Sequence, residues 1–523
     1  MWGDVESPHT FIFMKKILYS PASIWWFFGV ITAGLSILYL SILPDHLVTM
    51  SNAGDGGDLL AAMLTHGVPH PTGYPTYMLL GQVFLLIPWN TPYFRVGLLS
   101  AISTACAAGL LFLWVAKELT NDRKSGLWIG VTAAIAWGTA PLVFSQAVIV
   151  EVYGLQSFLI MCNIWWITLL IKGVMSHKER ILVGALAFTV GLSLGNHITV
   201  LFLIPAWIYA LFRAYRNGHP ARFLMLQIAL CLAGCLVYLY LPFSARNYPA
   251  INWGNPQTWA GFWWEISGRA YQGMLFAIPL PELFSRIGAF ARLLFDQFSI
   301  LGLIIGLIGA VMMEGLNRSM VWVFIWLAGA CSIFALGYNT NDSFLYLIPT
   351  FIVFSIWIGS GVLYLIKWRL QRRLQTIPLG MLACGLLMLF LLVRLPFTRN
   401  SVDPRKDIQA GAYAEDYLNS APQGAILLTN SDEDTFPLWY FHFGLGVRPD
   451  LHIILLPLTQ FVWYQKTIHH VYPDLLVPLY AESPYTDWGE EIPTLNPALQ
   501  VCKSQPDASA QYGIAFGCSV TAH

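Results

Sequence analysis

Residues 93–116 read YFRVGLLSAISTACAAGLLFLWVA, and after Arg95, near its start, this stretch contains no charged residue. A helix needs about 20 mostly apolar residues to cross the hydrocarbon core of a bilayer. The stretch therefore predicts a membrane-spanning helix. The whole chain has the same character, because 56% of its 523 residues are hydrophobic and 11% are charged. In an ordinary soluble domain about a quarter of the residues are charged.

Eleven apolar runs of this kind are bounded by charges or turns, so we expect a polytopic α-helical membrane protein. They are 22–43, 93–116, 127–144, 147–171, 181–195, 198–212, 222–243, 287–313, 319–337, 345–366 and 377–395. Residues 181–212 could instead form one long helix without a hinge at Gly195-Asn196-His197. Segment 72–90 is also apolar, but Pro75 and Pro88 interrupt it. It predicts a helix that lies at the interface or re-enters from outside.

Basic residues cluster in alternate turns and set the expected orientation. If 181–212 is two helices, 16 of the 28 basic residues fall on one side. They are Lys15, Lys16, Lys117, Arg123, Lys124, Lys172, Lys178, Arg180, Arg213, Arg216, Arg222, Arg318, Lys367, Arg369, Arg372 and Arg373. The positive-inside rule makes that side cytoplasmic, with the N-terminus inside and the C-terminus outside. We expect a plasma (inner) membrane protein with a retained first span, since no small-residue cleavage site follows it.

The outer side is expected to carry two long loops, 44–92 and 244–286, and a separate domain. Residues 1–395 form the predicted membrane module, and residues 396–523 hold 14 of the 28 acidic residues. The runs AILLTN, SDEDTFP, LWYFHFG and DLHIILL between residues 425 and 456 predict strand, loop, helix and strand, hence a small extracytoplasmic α/β domain. Its two cysteines, Cys502 and Cys518, could form a disulfide in an oxidising compartment.

The first outer loop opens with SNAGDGGD at residues 51–58, where Asp55 and Asp58 are three residues apart before a helical run. This pattern is consistent with an acidic helix cap that merely starts the helix. Taken alone, the pattern favours such a cap over a pair of carboxylates placed for chemistry. Other polar residues near the same face favour the second interpretation.

These residues are separate in sequence but are all predicted near the outer surface. They are His66, His70, Tyr74, Glu151, Tyr153, Asn196, His197, Asn339 and Asp342. Each alone could be an interfacial polar residue at a helix end. A carboxylate such as Glu151 within a span costs about 2 to 3 kcal/mol if it faces lipid, so it should face a cavity. We therefore predict a substrate site at the outer face.

The second outer loop contains Arg246 and Arg269 among several aromatic rings. The rings could be an aromatic belt at the headgroup level. The two arginines also suit a lipid phosphate, because a guanidinium binds phosphate oxygens as a bidentate fork.

Several motifs together resemble the protein O-mannosyltransferase-like membrane family of the GT-C glycosyltransferase superfamily. The stretch GDGGDLLAAMLTHGVPHPTGYPTYMLLG (54–81) and FRVGLLSA (94–101) are similar to that family's GDSGEL, HPPGYP and FRVNLLSA. Further similar stretches are EVYGL (151–155), GNH (195–197), INWGNP (251–256), SGRAY (267–271), YNTND (338–342) and TNSDEDTFPLWY (429–440). Gly56 and Asp58 depart from the family's usual Ser and Glu.

This resemblance implies a GT-C-like enzyme that transfers a sugar, such as mannose, from a polyprenyl-phosphate carrier to a hydroxyl outside the cytoplasm. The acceptor would be a protein, through Ser or Thr, or a glycan. By position, Asp55 is the expected catalytic base. The role of Asp58 stays open, and so does the choice of which of the two carboxylates is the base.

The chemistry agrees with these residues. An attacking hydroxyl needs one general base, whereas a phosphate leaving group needs no acid, only cations or N–H donors such as Arg246 or Arg269. No cofactor is expected, and the spacing of the carboxylates and histidines matches no metal site. The net charge of zero excludes a strongly basic nucleic-acid binder.

A transporter with Glu151, Asp342 and His197 as an ion or proton path is the main alternative. An adhesion or scaffold protein is another, but it would leave the Asp55 loop without purpose.

Overall fold

A computed structural model describes residues 21–173, 175–371, 379–478, 488–507, 509 and 511–518. Lys15, Lys16, Arg372 and Arg373, which contributed to the predicted orientation, lie outside these residues. Sixteen α-helices run from residue 21 to residue 401. They are Pro21–Leu40, Gly56–Leu64, Pro75–Leu85, Pro92–Glu118, Arg123–Gly138, Pro141–Ala147, Tyr153–Lys172, His177–Leu194, Ile204–Arg216, Ala221–Cys235, Tyr240–Ala245, Trp259–Ile266, Leu280–Met312, Arg318–Gly337, Ile348–Gln371 and Leu379–Ser401.

Nine helical stretches of the described chain are long and apolar enough to cross a membrane, and a bent pair supplies a tenth. The pair is Arg123–Gly138 and Pro141–Ala147, which meet at 68°. The predicted fifth span is also a helix, His177–Leu194, but three of its first four residues are charged and a Ser176–Glu179 capping box starts it. The chain is therefore the multi-pass membrane protein that the composition predicts.

The hinge predicted at residues 195–197 is confirmed. Helix His177–Leu194 ends just before it, and the backbone of His197 is extended. A 3-10 turn, Ile198–Leu203, then leads into helix Ile204–Arg216. The predicted span 147–171 was wrong at its start, because its helix begins only at Tyr153 and Glu151 lies before it in a non-helical segment.

Glycines allow the helices to pack closely where they cross. A Cβ atom on Gly191 would collide with the Cys231 carbonyl oxygen, and one on Gly234 would collide with that of Phe188. The helices His177–Leu194 and Ala221–Cys235 therefore approach backbone to backbone, as small residues permit in membranes.

The C-terminal part of the described chain, for which we keep the name outer domain, contains a four-stranded sheet in the order β2-β1-β3-β4. The strands are β1 (Ile426–Thr429), β2 (His452–Leu455), β3 (Val501–Pro506) and β4 (Ile514–Cys518), with helices Gln409–Ser420, Asp432–Trp439, Val462–Val471 and Trp488–Leu495. β1 is parallel to β2 and β3, and β3 is antiparallel to β4. The disulfide considered above joins Cys502 to Cys518 across β3 and β4.

SDEDTFP is not the predicted loop but the start of helix Asp432–Trp439. The reason is a capping box: Ser431 accepts the Asp434 N–H, and the Asp434 side chain accepts the Ser431 N–H at 2.8 Å. Capping of this kind satisfies N–H groups that a helix start leaves unpaired.

One aspartate connects the outer domain to the first outer loop. The Asp407 carboxylate accepts hydrogen bonds from the backbone N–H groups of Thr49 at 2.7 Å and Met50 at 2.5 Å. Its other oxygen accepts the N–H of Gln409, at the start of helix Gln409–Ser420. The loop that leads to Asp55 is thus fixed against the outer domain.

Candidate functional site

A cavity of about 920 Å³ lies at the end of the helices where the hinge at residues 195–197 and the loop that carries Asp55 meet. Seven of the predicted site residues line it: Asp55, His70, Tyr74, Glu151, Tyr153, His197 and Asp342. Its other walls are largely apolar and include Ile325, Trp326 and Ile333 of helix Arg318–Gly337, which are also partly exposed at the outside of the bundle. The cavity therefore combines polar groups with an apolar side that reaches the exposed surface of the helix bundle.

His70 is the centre of the polar cluster. The buried Asp58 carboxylate accepts hydrogen bonds from His70 Nδ1 at 2.7 Å, the His70 backbone N–H at 2.8 Å and Trp253 Nε1 at 3.0 Å. On the other side of the ring, His70 Nε2 lies 3.4 Å from Asp55 Oδ2. The Tyr74 hydroxyl lies 3.2 Å from the same nitrogen. One imidazole thus bridges the two carboxylates of the first outer loop.

The charge of this cluster follows from its geometry. Burial alone would lower the pKa of His70, but Asp55 and Asp58 raise it to about 10, so the ring is an imidazolium at neutral pH. The Asp55 side chain is 45% exposed, towards open space. Desolvation by its surroundings raises the pKa of the Asp55 carboxyl, while the charge of His70 opposes that rise.

The outer domain contacts this cluster directly. The Phe436 ring stacks on His70 with centroids 6.3 Å apart, and Trp253 packs edge-on against Phe436. The first outer loop can approach closely here because Gly57 has no side chain, and a Cβ atom would collide with the Phe436 carbonyl.

Glu151 and His197 form the inner part of the polar wall. The Val152 N–H donates to Glu151 Oε2 at 3.1 Å. The ring of His197 lies among Tyr74, Tyr153 and Tyr346, with centroid separations of 5.6 to 6.2 Å. Burial lowers the pKa of His197 to about 4, so this ring is neutral.

A second, more polar cleft of about 670 Å³ lies between the first outer loop and the outer domain. Asp55, Asp342 and Asp432 line both spaces. The two cavities therefore meet at Asp55, and a group bound in either one can reach its carboxylate.

The remaining predicted residues lie elsewhere, and none of them lines either cavity. Asp58 is buried behind His70, and Asn196 is buried where its amide donates to the Val152 carbonyl oxygen at 3.3 Å. His66, Asn339, Arg246 and Arg269 are exposed. Arg269 lies between the lining residues Gly268 and Tyr271, whereas Arg246 packs over the Phe243 ring. Within the described ranges, no group of three or more His, Cys, Asp or Glu residues is arranged to hold a metal ion.

Sequence reasoning did not single out several residues of the site. Tyr271 and Tyr346 line the larger cavity, and Asp432 lines both. Trp253 and Asp432 lie within the motifs INWGNP and TNSDEDTFPLWY, which was the available signal. No sequence motif pointed to Arg286. Its guanidinium donates to the carbonyl oxygens of Tyr338 and Thr340 and so holds the loop that carries Asp342.

The fold and site define a polytopic α-helical membrane protein with a cluster of carboxylates and histidines in a cavity at one end of its helices. The solved structure of ArnT from Cupriavidus metallidurans bound to undecaprenyl phosphate superposes with a TM-score of 0.58 and 12% sequence identity, over 94% of this chain and 98% of that one. At this identity the likeness concerns the fold alone.

The sequence resemblance is to the protein O-mannosyltransferase-like family, as the motifs indicate. The profile of the protein O-mannosyl-transferase TMEM260 N-terminal domain matches residues 55–219, and TMEM260-associated domain 2 matches 410–481. Protein O-mannosyl-transferase TMEM260 of Mus musculus is 27% identical over 85% of this chain, and that of Dictyostelium discoideum is 24% identical over 84%. These matches span 65% and 58% of the two relatives' lengths.

Proposed function

We propose that this chain is a glycosyltransferase that moves a sugar, mannose, from a polyprenyl-phosphate carrier to a hydroxyl on the extracytoplasmic side of the membrane. The observation that carries the proposal is the position of Asp55, a carboxylate open to both an apolar cavity and a polar cleft. The relatives' names, both of them transferases, support this function over the transporter alternative.

Asp55 is the general base of the proposed reaction. The acceptor hydroxyl attacks the anomeric carbon of the sugar, the bond from that carbon to the phosphate oxygen breaks, and the hydroxyl proton passes to Asp55. The phosphate leaves with the bonding electron pair. A base is most effective when its pKa is near the working pH, and the upward shift at Asp55 acts in that direction.

His70 and Asp58 are positioning residues in this scheme. Asp58 fixes the imidazole, and the charged imidazole orients the carboxylate of Asp55. In many active sites the reacting group is held in position in this way by a second, buried side chain.

The larger cavity is the proposed donor site. Its apolar wall suits a polyprenyl chain entering from the membrane, and Glu151, Tyr153 and His197 are then close to the sugar. Arg269, which is adjacent in sequence to the lining residue Gly268, is the proposed partner of the phosphate, and Arg246 is the second candidate. We propose that no metal or other cofactor is required.

The orientation follows from the same proposal. The N-terminus and the basic turns lie in the cytoplasm, the outer domain lies outside it, and the membrane is the plasma (inner) membrane. The positive-inside distribution of the 16 basic residues supports this arrangement.

The direct test uses the purified chain in nanodiscs with a panel of polyprenyl-phosphate sugars and a Ser/Thr-containing acceptor peptide. We expect mass spectrometry to detect a hexose on the peptide with the mannose donor. Absence of both transfer and hydrolysis across the panel would contradict the proposed function. An Ile181→Ala variant, altered at an exposed membrane-facing position away from the cavities, controls for expression and reconstitution.

A further inference from the structure

The polar cleft between the first outer loop and the outer domain has an unusual charge. Four carboxylates line it, those of Asp55, Asp342, Asp432 and Glu433, and no Lys, Arg or His of the described chain does so. Its other lining groups are neutral and include the rings of Tyr413 and Tyr512.

Hydrogen bonds fix both walls of the cleft. The Asp407 hydrogen bonds hold one wall against the outer domain. The opposite wall is helix Asp432–Trp439, which is held by its buried Asp434: that side chain accepts the Asn430 N–H at 3.0 Å, and its backbone carbonyl accepts the Tyr413 hydroxyl at 3.0 Å. Asp432 and Glu433 are consequently fixed as the first two residues of a capped helix.

We propose, on the basis of the transferase function above, that this cleft receives the acceptor and that the acceptor is a polypeptide segment carrying basic side chains near its Ser or Thr. The cleft meets the donor cavity at Asp55, so a hydroxyl held at this junction can reach both the base and the lipid-linked sugar. Its volume of about 670 Å³ is in the range that buries a compact ligand.

Charge decides the class of acceptor. A cleft lined by one sign of charge attracts ligands of the opposite sign and repels like charge. An acidic peptide or a phosphate-bearing lipid headgroup would bring further negative charge beside the lining carboxylates other than Asp55, whose charge the His70 imidazolium partly offsets. A Lys- or Arg-containing segment would instead pair with Asp432 and Glu433 while its hydroxyl reaches Asp55.

The test compares two synthetic peptides of equal length, each with one Thr, that differ only in carrying Lys or Glu at the flanking positions. With the chain in zwitterionic nanodiscs and saturating polyprenyl-phosphate mannose, we expect roughly a fivefold lower KM for the Lys peptide, as two partly exposed ion pairs can provide. High salt should reduce this difference because it screens exposed charges.

The double variant Asp432→Asn, Glu433→Gln should remove most of the preference, because the KM for the Lys peptide should rise towards that for the Glu peptide. The matched control is Glu415→Gln, an exposed carboxylate on helix Gln409–Ser420 that does not line the cleft, and it should retain the preference. Equal KM values, or a preference for the Glu peptide, would overturn the inference.

Equilibrium binding of the same fluorescent peptides without donor separates the two proposals. Tighter binding of the Lys peptide, lost in the double variant, supports the cleft assignment even if no sugar is transferred, and the failure then lies with the proposed function. Equal binding of both peptides overturns the cleft assignment whether or not transfer is observed.

Discussion

His70 Nε2 lies 3.4 Å from the carboxylate of Asp55, and the opposite nitrogen of the same ring is fixed at 2.7 Å by the buried carboxylate of Asp58. The base proposed for sugar transfer is thus held by a charged ring that is itself held by a second carboxylate.

Replacing the charged ring tests its effect on the base. His70→Gln keeps a polar side chain but removes the positive charge beside Asp55, so we expect a loss of kcat of about 10- to 100-fold, since misplacement of a catalytic group costs about that much. The acidic limb of the rate–pH profile should move to higher pH, because a charge that favours the ionised base is gone. His66→Gln, an exposed histidine of the same loop, should behave like the wild type. An unchanged rate–pH profile in His70→Gln would show that the charge of His70 does not influence the ionisation of the base.

Stability at alkaline pH should depend on the same ring. The pKa of His70 is raised to about 10 from an ordinary value of 6.5. Its contribution to the free energy of unfolding is therefore complete below the ordinary value and is lost as the pH rises through about 10. Thermal unfolding in detergent should show a steeper fall in Tm towards pH 10 for the wild type than for His70→Gln. Parallel curves for the two proteins would contradict this.

Trp253 should act through Asp58. Trp253→Phe keeps an aromatic ring against Phe436 but removes the indole N–H that donates to Asp58 at 3.0 Å. We expect about 1 to 3 kcal/mol of destabilisation, because a buried carboxylate oxygen loses its hydrogen bond. Activity should fall by less than in His70→Gln. The free energy of unfolding can be compared with that of Trp259→Phe, an exposed tryptophan of the same outer loop. Equal free energies of unfolding for Trp253→Phe and Trp259→Phe would show that the hydrogen bond from Trp253 to Asp58 does not stabilise the protein.

The outer-domain disulfide should contribute to stability. Cys502 and Cys518 are separated by 16 residues, and closing a loop of that size in the unfolded chain corresponds to about 3 kcal/mol. A Cys502→Ser, Cys518→Ser double variant should become sensitive to limited proteolysis between β3 and β4. Cys231→Ser, a cysteine that is free in the structure, is the control. Equal proteolysis rates would show that the bridge has no such role.

Sequence patterns predicted the spans and the hinge from hydropathy and charge. Hydropathy decides whether a segment can cross the bilayer, and the hinge at Gly195-Asn196-His197 was preferred because two helices over 181–212 place the basic turns on one side. Convergence of distant polar residues on one face also followed from topology, which is why Asp55, Glu151, His197 and Asp342 line one cavity.

Side-chain direction could not be read in the same way. His66 and His70 are four residues apart in one loop, but His66 adopts a positive φ of 52° and is exposed, whereas His70 is buried on Asp58. Arg246 and Arg269 are exposed for a similar reason, since the turns of the second outer loop decide which side chains face inward. Trp253 and Asp432 contribute to the site through contacts with segments that are far away in sequence. The hydrogen bond from Trp253 to Asp58, for example, joins residues 195 positions apart.

The central claim is that Asp55 removes the proton from the acceptor hydroxyl, and the most direct measurement is single-turnover sugar transfer by Asp55→Asn with donor binding recorded in parallel. The account predicts a loss of transfer of about 100-fold or more, the size expected for removal of a general base, with donor affinity and Tm close to those of the wild type. Transfer within about twofold of the wild-type rate by a folded Asp55→Asn protein would contradict it, since a general base contributes about 100-fold or more.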